Sequence, residues 1–299
     1  MKSNEQAGLL FALGGFALLS VGDAVVKTMA GQWAPTAVAA LRYSLGALWL
    51  GLLLTRQQGP AVLAPVMPAI QLLRGVSVAV ATVGYFSAIY VMPLATATAI
   101  TFTSPMITAL LAAMFLREPA SRSTVVASLI AFAGVLIVLR PNFAELGWAV
   151  LFPLASALGM SVLMICNRFV AGKGSALSMQ FYVASMAAPV LITTALVAGQ
   201  LGIPRFALDW PSWSVVAKAA FVSISASVAH WLVYMGTTRA GAATIAPMTY
   251  IQLLMATAFG YFLFGDHPDL TTMLGAAVII GAGLYLWWAG RPVDPDTHV

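Results

Sequence analysis

The chain has 299 residues, 61% of them hydrophobic and only 8% charged, and its mean hydropathy is +0.94. A soluble domain carries about a quarter charged residues; a water-soluble fold of this size is excluded, because only a bilayer solvates so much apolar surface directly. The net charge of +5 comes from Lys and Arg scattered singly rather than in the stripe of a nucleic-acid binder, and the single cysteine, Cys166, excludes a disulfide framework and a thiolate metal site.

Apolar runs long enough to cross about 30 Å of hydrocarbon predict ten transmembrane helices, at 7–29, 33–54, 69–90, 94–116, 123–139, 146–168, 178–198, 212–235, 242–264 and 271–289. The first begins directly after a short polar segment without a small-residue cleavage site, which reads as no cleaved signal peptide. An ionisable group inside a span is costly and by default faces the bundle interior. In the first span Phe16, Ser20, Asp23 and Lys27 fall on one helical face. Asp23 and Lys27 stand four apart with the acid first, the favourable order for an intrahelical pair. Two readings stand: a separable pair that receives the ammonium and carboxylate of an amino acid, or a self-neutralising pair with Lys27 reaching the outer interface. Arg42 in the second span suits a carboxylate site or a structural anchor.

In the fourth span Thr98, Thr101, Pro105 and Thr108 share a face, and Pro105 removes a backbone donor and so predicts a hinge. The sixth carries Ser156, Met160, Met164 and Asn167 on one face; flexible thioethers suit a cavity that accepts several apolar side chains, although plain packing is their commoner use. The eighth has the best polar stripe, Ser223, Ser227, His230 and Tyr234 at 4-3-4 spacing, with Trp231 beside it. Such a stripe either bonds another helix or lines a wet cavity. His230 is also a candidate for coupling transport to protons, as are Asp23 and Lys27. The ninth span offers Pro247, Tyr250 and Gln252. The tenth ends in Leu286-Trp287-Trp288, an interfacial aromatic belt, and its Gly275, Gly281 and Gly283 fit close helix packing, including packing between two protomers of a homodimer.

With Met1 inside, the inner segments hold Lys2, Arg56, Arg74, Arg117, Arg122, Arg168, Lys173, Arg239 and Arg291, nine cations, against four outside, Arg140, Arg205, Lys27 and Lys218. The positive-inside rule therefore places both termini in the cytoplasm. At an offset of 148 residues the two halves echo one another: Leu94-Ala95-Thr96 with Ala242-Ala243-Thr244, Phe115-Leu116-Arg117-Glu118-Pro119 with Leu263-Phe264-Gly265-Asp266-His267, and Ala133-Gly134-Val135-Leu136 with Gly281-Ala282-Gly283-Leu284. Each half closes on Arg-Pro, at Arg140-Pro141 and Arg291-Pro292. Five helices is an odd number, so the second copy, residues 142–299, must lie upside down relative to the first, residues 1–141. Loop charges agree: Arg117 and Arg122 follow the fourth span, whereas Asp266 and Asp269 follow the ninth. The expected fold is all-α and integral to the membrane, two inverted five-helix repeats, the architecture of alternating access.

Pro35 followed by Ala40-Leu41-Arg42-Tyr43, Ala88-Ile89-Tyr90 before an Ala/Thr-rich helix, Ser104-Pro105 and Leu116-Arg117-Glu118-Pro119 together resemble the ten-helix EamA-type exporters of the drug/metabolite transporter superfamily. The resemblance covers essentially the whole chain and is nearest to exporters of amino acids and related metabolites, including an aromatic amino-acid branch. It implies a multi-pass protein of a bacterial inner membrane, with a cavity lined mainly by helices 1, 3, 4, 6, 8 and 9 and with helices 5 and 10 peripheral. This sequence departs from the pattern in its second copy, where Asp266-His267-Pro268 replaces the Glu-Pro motif and Leu253 stands at the position matching Pro105.

Rival classes lack their signatures. There is no Gly-x-x-x-x-Gly-Lys-Ser/Thr sequence for an ATPase, no His-x-x-x-His or paired Asp on one helix for an intramembrane enzyme, and no charge ring or filter segment for a channel. The expected function is export of small metabolites, most of all amino acids, without a cofactor or metal. The candidate binding or coupling residues are Asp23, Lys27, Thr98, Thr101, Met160, Met164, Ser227, His230, Trp231, Tyr234, Tyr250 and Gln252, with Pro105 as hinge and Arg42 as anchor.

Overall fold

The computed structural model describes residues 2–115, 122–240 and 245–289. The Arg117-Glu118-Pro119 motif, the start of the ninth expected span at 242–244 and the closing Arg291-Pro292 lie outside them. Among the described residues the fold is entirely helical, with no strand. Seven stretches are long and apolar enough to cross a membrane, Gln6–Lys27, Pro35–Gln58, Pro68–Ile89, Leu94–Ala112, Gly147–Phe169, Ala176–Gly199 and Trp213–Ala240, and three shorter apolar helices cover Val125–Val138, Met248–Phe264 and Leu270–Tyr285.

The helices are α1 (Lys2–Lys27), α2 (Pro35–Gln58), α3 (Pro68–Ile89), α4 (Leu94–Thr101), α5 (Ser104–Phe115), α6 (Arg122–Leu146), α7 (Leu151–Phe169), α8 (Ala176–Gly199), α9 (Trp213–Ala240), α10 (Ile251–Phe264) and α11 (Leu270–Ala289). Their ends follow local chemistry. Pro35 and Pro68 open α2 and α3, where a missing N–H costs nothing. Ser175 caps α8, its hydroxyl accepting from the Ser178 N–H at 3.1 Å. Gly31 and Gly172, with φ of 75° and 73°, turn the chain after α1 and α7 in the left-handed region that glycine enters freely.

Three of the expected spans are drawn differently. The fourth is not one helix: α4 stops at Thr101 and α5 restarts at Ser104. Pro105 cannot donate to the Thr101 carbonyl four residues back, and its ring crowds that carbonyl, so the backbone breaks on the N-terminal side of the proline. The expected fifth span, ending at 139, belongs to a longer helix, because α6 continues past Pro141 to Leu146; its last residues, Phe143-Ala144-Glu145-Leu146, include good helix formers. The ninth span begins among the described residues as a 3₁₀ turn at Ala246–Tyr250 that leads into α10.

Four helix pairs make the main contacts: α1 with α9, α3 with α7, α2 with α8, and α6 with α11; α4 also lies against α10. Close approach depends on glycine. A Cβ on Gly15 would lie 2.8 Å from the Ala229 carbonyl, and one on Gly236 would lie 2.8 Å from the Gly8 carbonyl, both across the α1–α9 seam. Across α3–α7, a Cβ on Gly84 would meet the Phe152 carbonyl at 2.6 Å and one on Gly159 the Ser77 carbonyl at 2.7 Å. Gly134 and Gly275 face each other between α6 and α11, and Gly283 faces Tyr250. Gly275 and Gly283, offered above for packing between protomers, are thus engaged within the chain; Gly281 has nothing within 4 Å. The exterior is apolar, with Leu48, Leu129, Phe132, Leu196 and Phe262 all exposed, as a lipid-facing surface requires. Trp288 is exposed at the end of α11, while the side chains of Leu286 and Trp287 lie outside the described set.

Candidate functional site

The centre of the bundle is marked by two helix interruptions. Phe102 sits at the α4–α5 break and Tyr250 at the junction of the 3₁₀ turn with α10. Their numbers differ by 148, the repeat offset, and their rings meet edge-on with centroids 5.8 Å apart. A hydroxyl from a neighbouring helix reaches backbone beside each break: Ser20 on α1 donates to the Gln252 carbonyl at 3.4 Å, and Ser161 on α7 donates to the Ser104 carbonyl at 2.9 Å. Gln252 also accepts, at its side-chain oxygen, from the Thr249 hydroxyl at 3.3 Å. Discontinuous helices in a membrane need such outside partners for backbone groups released from the ladder.

Beside these breaks lie the interior charges. Asp23 on α1 accepts a long hydrogen bond, 3.4 Å, from the Tyr85 hydroxyl on α3; Tyr85 is itself 2.8 Å from the Thr98 hydroxyl on α4, which donates to the Leu94 carbonyl. The Arg42 guanidinium on α2 stacks over the Tyr43 ring at 4.6 Å and near the Phe86 ring at 5.9 Å. It lies in Coulombic reach of both Asp23 and His230. His230 on α9 is exposed although its neighbours Ala226 and Ala229 are buried. Ser227, one turn earlier, accepts from the Trp49 indole N–H at 3.2 Å and donates to the Ser223 carbonyl. The Ser223 hydroxyl is buried without a hydrogen-bond partner.

The expected Asp23–Lys27 pair does not form. Lys27 turns instead to Asp266, 2.5 Å away, and also donates to the Met92 carbonyl at 3.2 Å while lying 4.9 Å over the Phe264 ring. The same Asp266 oxygen accepts from the Leu94 N–H at 3.3 Å. One carboxylate thus ties the end of α1 to the start of α4 and the end of α10, and an oppositely charged partner from the loop after α10 displaces the weaker pairing along one helix surface. Lys27 is therefore separated from Asp23 in role and place.

The remaining expected residues divide. Thr101 returns its hydroxyl to the Ala97 carbonyl at 2.9 Å, and Thr108 does the same to Ser104 at 2.8 Å, so both are internal to their helices. Met160 packs half-buried against the main core cluster. Met164 is 41% exposed and is approached by the Asn167 amide at 3.9 Å. Trp231 and Tyr234 are 50% and 46% exposed, and Pro105 is exposed on α5. The Pro247 side chain lies outside the described set. Arg42, favoured as an anchor, makes no hydrogen bond or ion pair among the described residues.

Four participants were not among the expected site residues: Tyr85, Phe86, Phe102 and Asp266, the last of them read only as a loop charge. A tyrosine in mid-span was a usable signal for Tyr85, because a phenol in hydrocarbon seeks a partner; for Phe102 the repeat offset from Tyr250 was one. A second polar cluster holds α3, α7 and α8 together. There Arg74 donates to Asn167 at 2.7 Å and to Gln71, and Gln71 donates to the Val66 carbonyl at 3.2 Å and approaches the Met179 sulfur. Its groups satisfy one another, as structural polar clusters do.

The profile of the EamA-like transporter family matches residues 6–140 and again residues 147–288. The S-adenosylmethionine uptake transporter of Rickettsia bellii (strain RML369-C) is 28% identical over 226 residues, 75% of this chain and 74% of that protein. The pseudopaline exporter of Pseudomonas aeruginosa is 25% identical over 282 residues, 94% of this chain and 96% of that one. A protein of known crystal structure has the same fold with a TM-score of 0.60 at 20% identity, over 94% of this chain and 96% of its own.

Proposed function

The chain belongs to the EamA-like transporter family, and on that premise we propose that it is a secondary carrier that exports small metabolites, foremost amino acids with apolar or aromatic side chains, by alternating access. The reading takes residues 1–141 and 142–299 as two inverted five-helix repeats of ten spans in all, with both termini cytoplasmic in a bacterial inner membrane. Its binding and coupling residues are Asp23, Thr98, His230, Tyr250 and Gln252, with Met160, Met164, Trp231 and Tyr234 toward the substrate's apolar part. The observation that carries it is the meeting of the two helix interruptions at Phe102 and Tyr250. Broken helices that meet between repeats are where carriers of this architecture hold substrate.

Further support comes from correspondences that an inverted pair requires. The profile matches two stretches of similar length. The pairing of α1 with α9 and of α3 with α7 is one contact seen from either half, while α2–α8, α4–α10 and α6–α11 each pair an element with its own counterpart. Ser20 and Ser161, which reach the breaks, are 141 residues apart, as are Gly31 and Gly172 with matching φ. The small loops leave no room for a soluble catalytic domain, which favours transport over catalysis.

A second reading, uptake of S-adenosylmethionine, is favoured by the likeness to the Rickettsia protein. The test is transport by purified protein in oriented proteoliposomes, with radiolabelled amino acids, S-adenosylmethionine, nucleosides and sugars, each with and without a pH gradient. Counterflow of phenylalanine or methionine is expected. If another class moves and no amino acid does under any gradient, the substrate assignment falls; if none of these moves, the carrier reading falls.

A further inference from the structure

We propose that Asp23 and Arg42 form a two-point receptor for a zwitterionic head group, Asp23 taking an ammonium and Arg42 a carboxylate, with Tyr85 positioning the Asp23 side chain. The inference rests on the carrier reading above and gives its site a chemistry.

It follows from which charges in the bundle have partners and which do not. Lys27 has Asp266 and the Met92 carbonyl, Arg74 has Asn167 and Gln71, and Arg239 donates to the Met235 carbonyl at 3.1 Å and lies 4.6 Å from the Phe11 ring. Arg42 has aromatic faces alone. Its five N–H donors stand without an acceptor among the described residues. Asp23 is nearly as bare: a carboxylate with room for about four hydrogen bonds receives one, at 3.4 Å. Both side chains are half-buried.

An unpaired charge within a bilayer is costly, and removing water from two of them without joining them is costlier still. Opposite charges in contact ordinarily close into a bidentate pair; among the described residues no ion pair joins these two, although Arg42 lies in Coulombic reach of Asp23. Each is held from its own side. Tyr43, whose ring lies under the guanidinium, is fixed by the contact of its hydroxyl with Thr82 at 3.1 Å. Tyr85 and Phe86 are consecutive on α3; Tyr85 reaches Asp23 and is fixed by Thr98, while buried Phe86 borders Arg42. One short segment of α3 therefore sets the positions of both charges. A molecule with an ammonium and a carboxylate on one carbon supplies the two missing partners at once, and the planar guanidinium fork matches the carboxylate. Lys27, the cation expected for this task, is engaged elsewhere.

The test uses full-length protein and three probes that share an aromatic ring: L-phenylalanine, phenethylamine, which lacks the carboxylate, and 3-phenylpropanoate, which lacks the ammonium. Affinities are read by competition against radiolabelled phenylalanine and by direct calorimetric titration for variants that no longer hold the label. Wild type is expected to prefer the zwitterion over either analogue by about ten- to a hundredfold, the range for hydrogen bonds to charged groups. Asp23→Asn should abolish the preference over 3-phenylpropanoate and keep that over phenethylamine; Arg42→Gln should do the converse, and Arg42→Lys should restore part of it. Tyr85→Phe should weaken phenylalanine and phenethylamine binding several-fold and leave 3-phenylpropanoate unchanged. These ratios are internal to each variant, so loss of yield does not imitate them. If amino acids are transported but wild type does not prefer the zwitterion, or both charge variants keep the wild-type ratios, the receptor is overturned and the carrier reading survives. If no amino acid is transported, the receptor falls with the substrate assignment, and the carrier reading falls only if none of the other classes moves either.

Discussion

The ring of Phe102 meets the ring of Tyr250 edge-on, centroids 5.8 Å apart and planes at 64°. Each sits at an interruption in its own helix, so the contact joins the two points where the helical backbone is weakest. Tyr250 is held from its other side by α11, where a Cβ on Gly283 would collide with the phenol oxygen. An aromatic pair of this geometry is worth about 0.5–1.5 kcal/mol beyond its buried area.

That wedge makes a specific prediction about Gly283→Ala. The added methyl must displace the Tyr250 hydroxyl, and with it the ring that contacts Phe102. Transport should fall several-fold while the protein still reaches the membrane. Tyr250→Phe removes the colliding oxygen and keeps the ring, so the double variant Gly283→Ala/Tyr250→Phe should recover most of the lost rate. Initial rates in proteoliposomes, normalised to protein content, check it. A double variant no faster than Gly283→Ala would mean that the hydroxyl is not the obstacle.

Lys27 and Asp266 make the second prediction. Their side chains are 12% and 19% exposed, so the pair is only partly screened by solvent. It binds α1, α4 and α10 at one end of the bundle, the end that a positive-inside orientation places outside. Lys27→Met and Asp266→Asn should each loosen that end and raise the labelling rate of a cysteine placed at Thr28. Together they should cost less than the sum of the two, with a coupling of about 0.5–3 kcal/mol in melting experiments. Additive effects would show that the two side chains act independently.

These two sites show what could be read from sequence and what could not. Run lengths of apolar residues pointed to an all-helical membrane protein, of whose expected spans seven are long and apolar enough to cross among the described residues, and Pro105 gave the position of a break to within a turn. The partner of Lys27 was misassigned because pattern reasoning reaches only along one helix; Asp23 is four residues away, whereas Asp266 is 239 residues away. Arg42 was read as an anchor because the family resemblance includes it, and a sequence pattern does not show that it has rings beside it and no acceptor among the described residues. Tyr85 and Phe86 were passed over because aromatic residues are ordinary in a membrane helix until their neighbours are known.

Asp269 lies outside the spans and gives a pH prediction. Its carboxylate accepts from the Thr271 hydroxyl at 2.5 Å and from the Thr272 N–H at 2.9 Å, capping α11. These hydrogen bonds hold its pKa below the ordinary carboxylate value. A pKa lowered by folding contributes stability that is complete above the unfolded-state value, about 3.9, and is lost as pH falls through the folded-state value. Asp269→Ala should therefore lower stability by about 0.5–1 kcal/mol at neutral pH, the usual worth of an exposed cap. The difference between the melting curves of variant and wild type should shrink as pH falls below about 4. A difference constant with pH would assign the loss to packing.

The glycine seams supply a prediction with its own control. At Gly84 on α3 an added Cβ would lie 2.6 Å from the Phe152 carbonyl and 2.9 Å from the Ser156 nitrogen, both backbone atoms that cannot move aside as a side-chain tip would. Gly14 on α1 has nothing within 4 Å of the same construction. Both are helical glycines, so Ala brings the same gain in helix propensity to each, at most about 1 kcal/mol. Gly84→Ala forces α3 and α7 apart, and overpacking of this kind typically costs about 1–3 kcal/mol. Its melting temperature should fall while that of Gly14→Ala holds or rises, and Gly84→Ala should also impair transport, because Tyr85 is the next residue and Asp23 takes its one hydrogen bond from it. Equal melting temperatures for the two variants would mean that α3 and α7 are not held as closely as their backbones lie here.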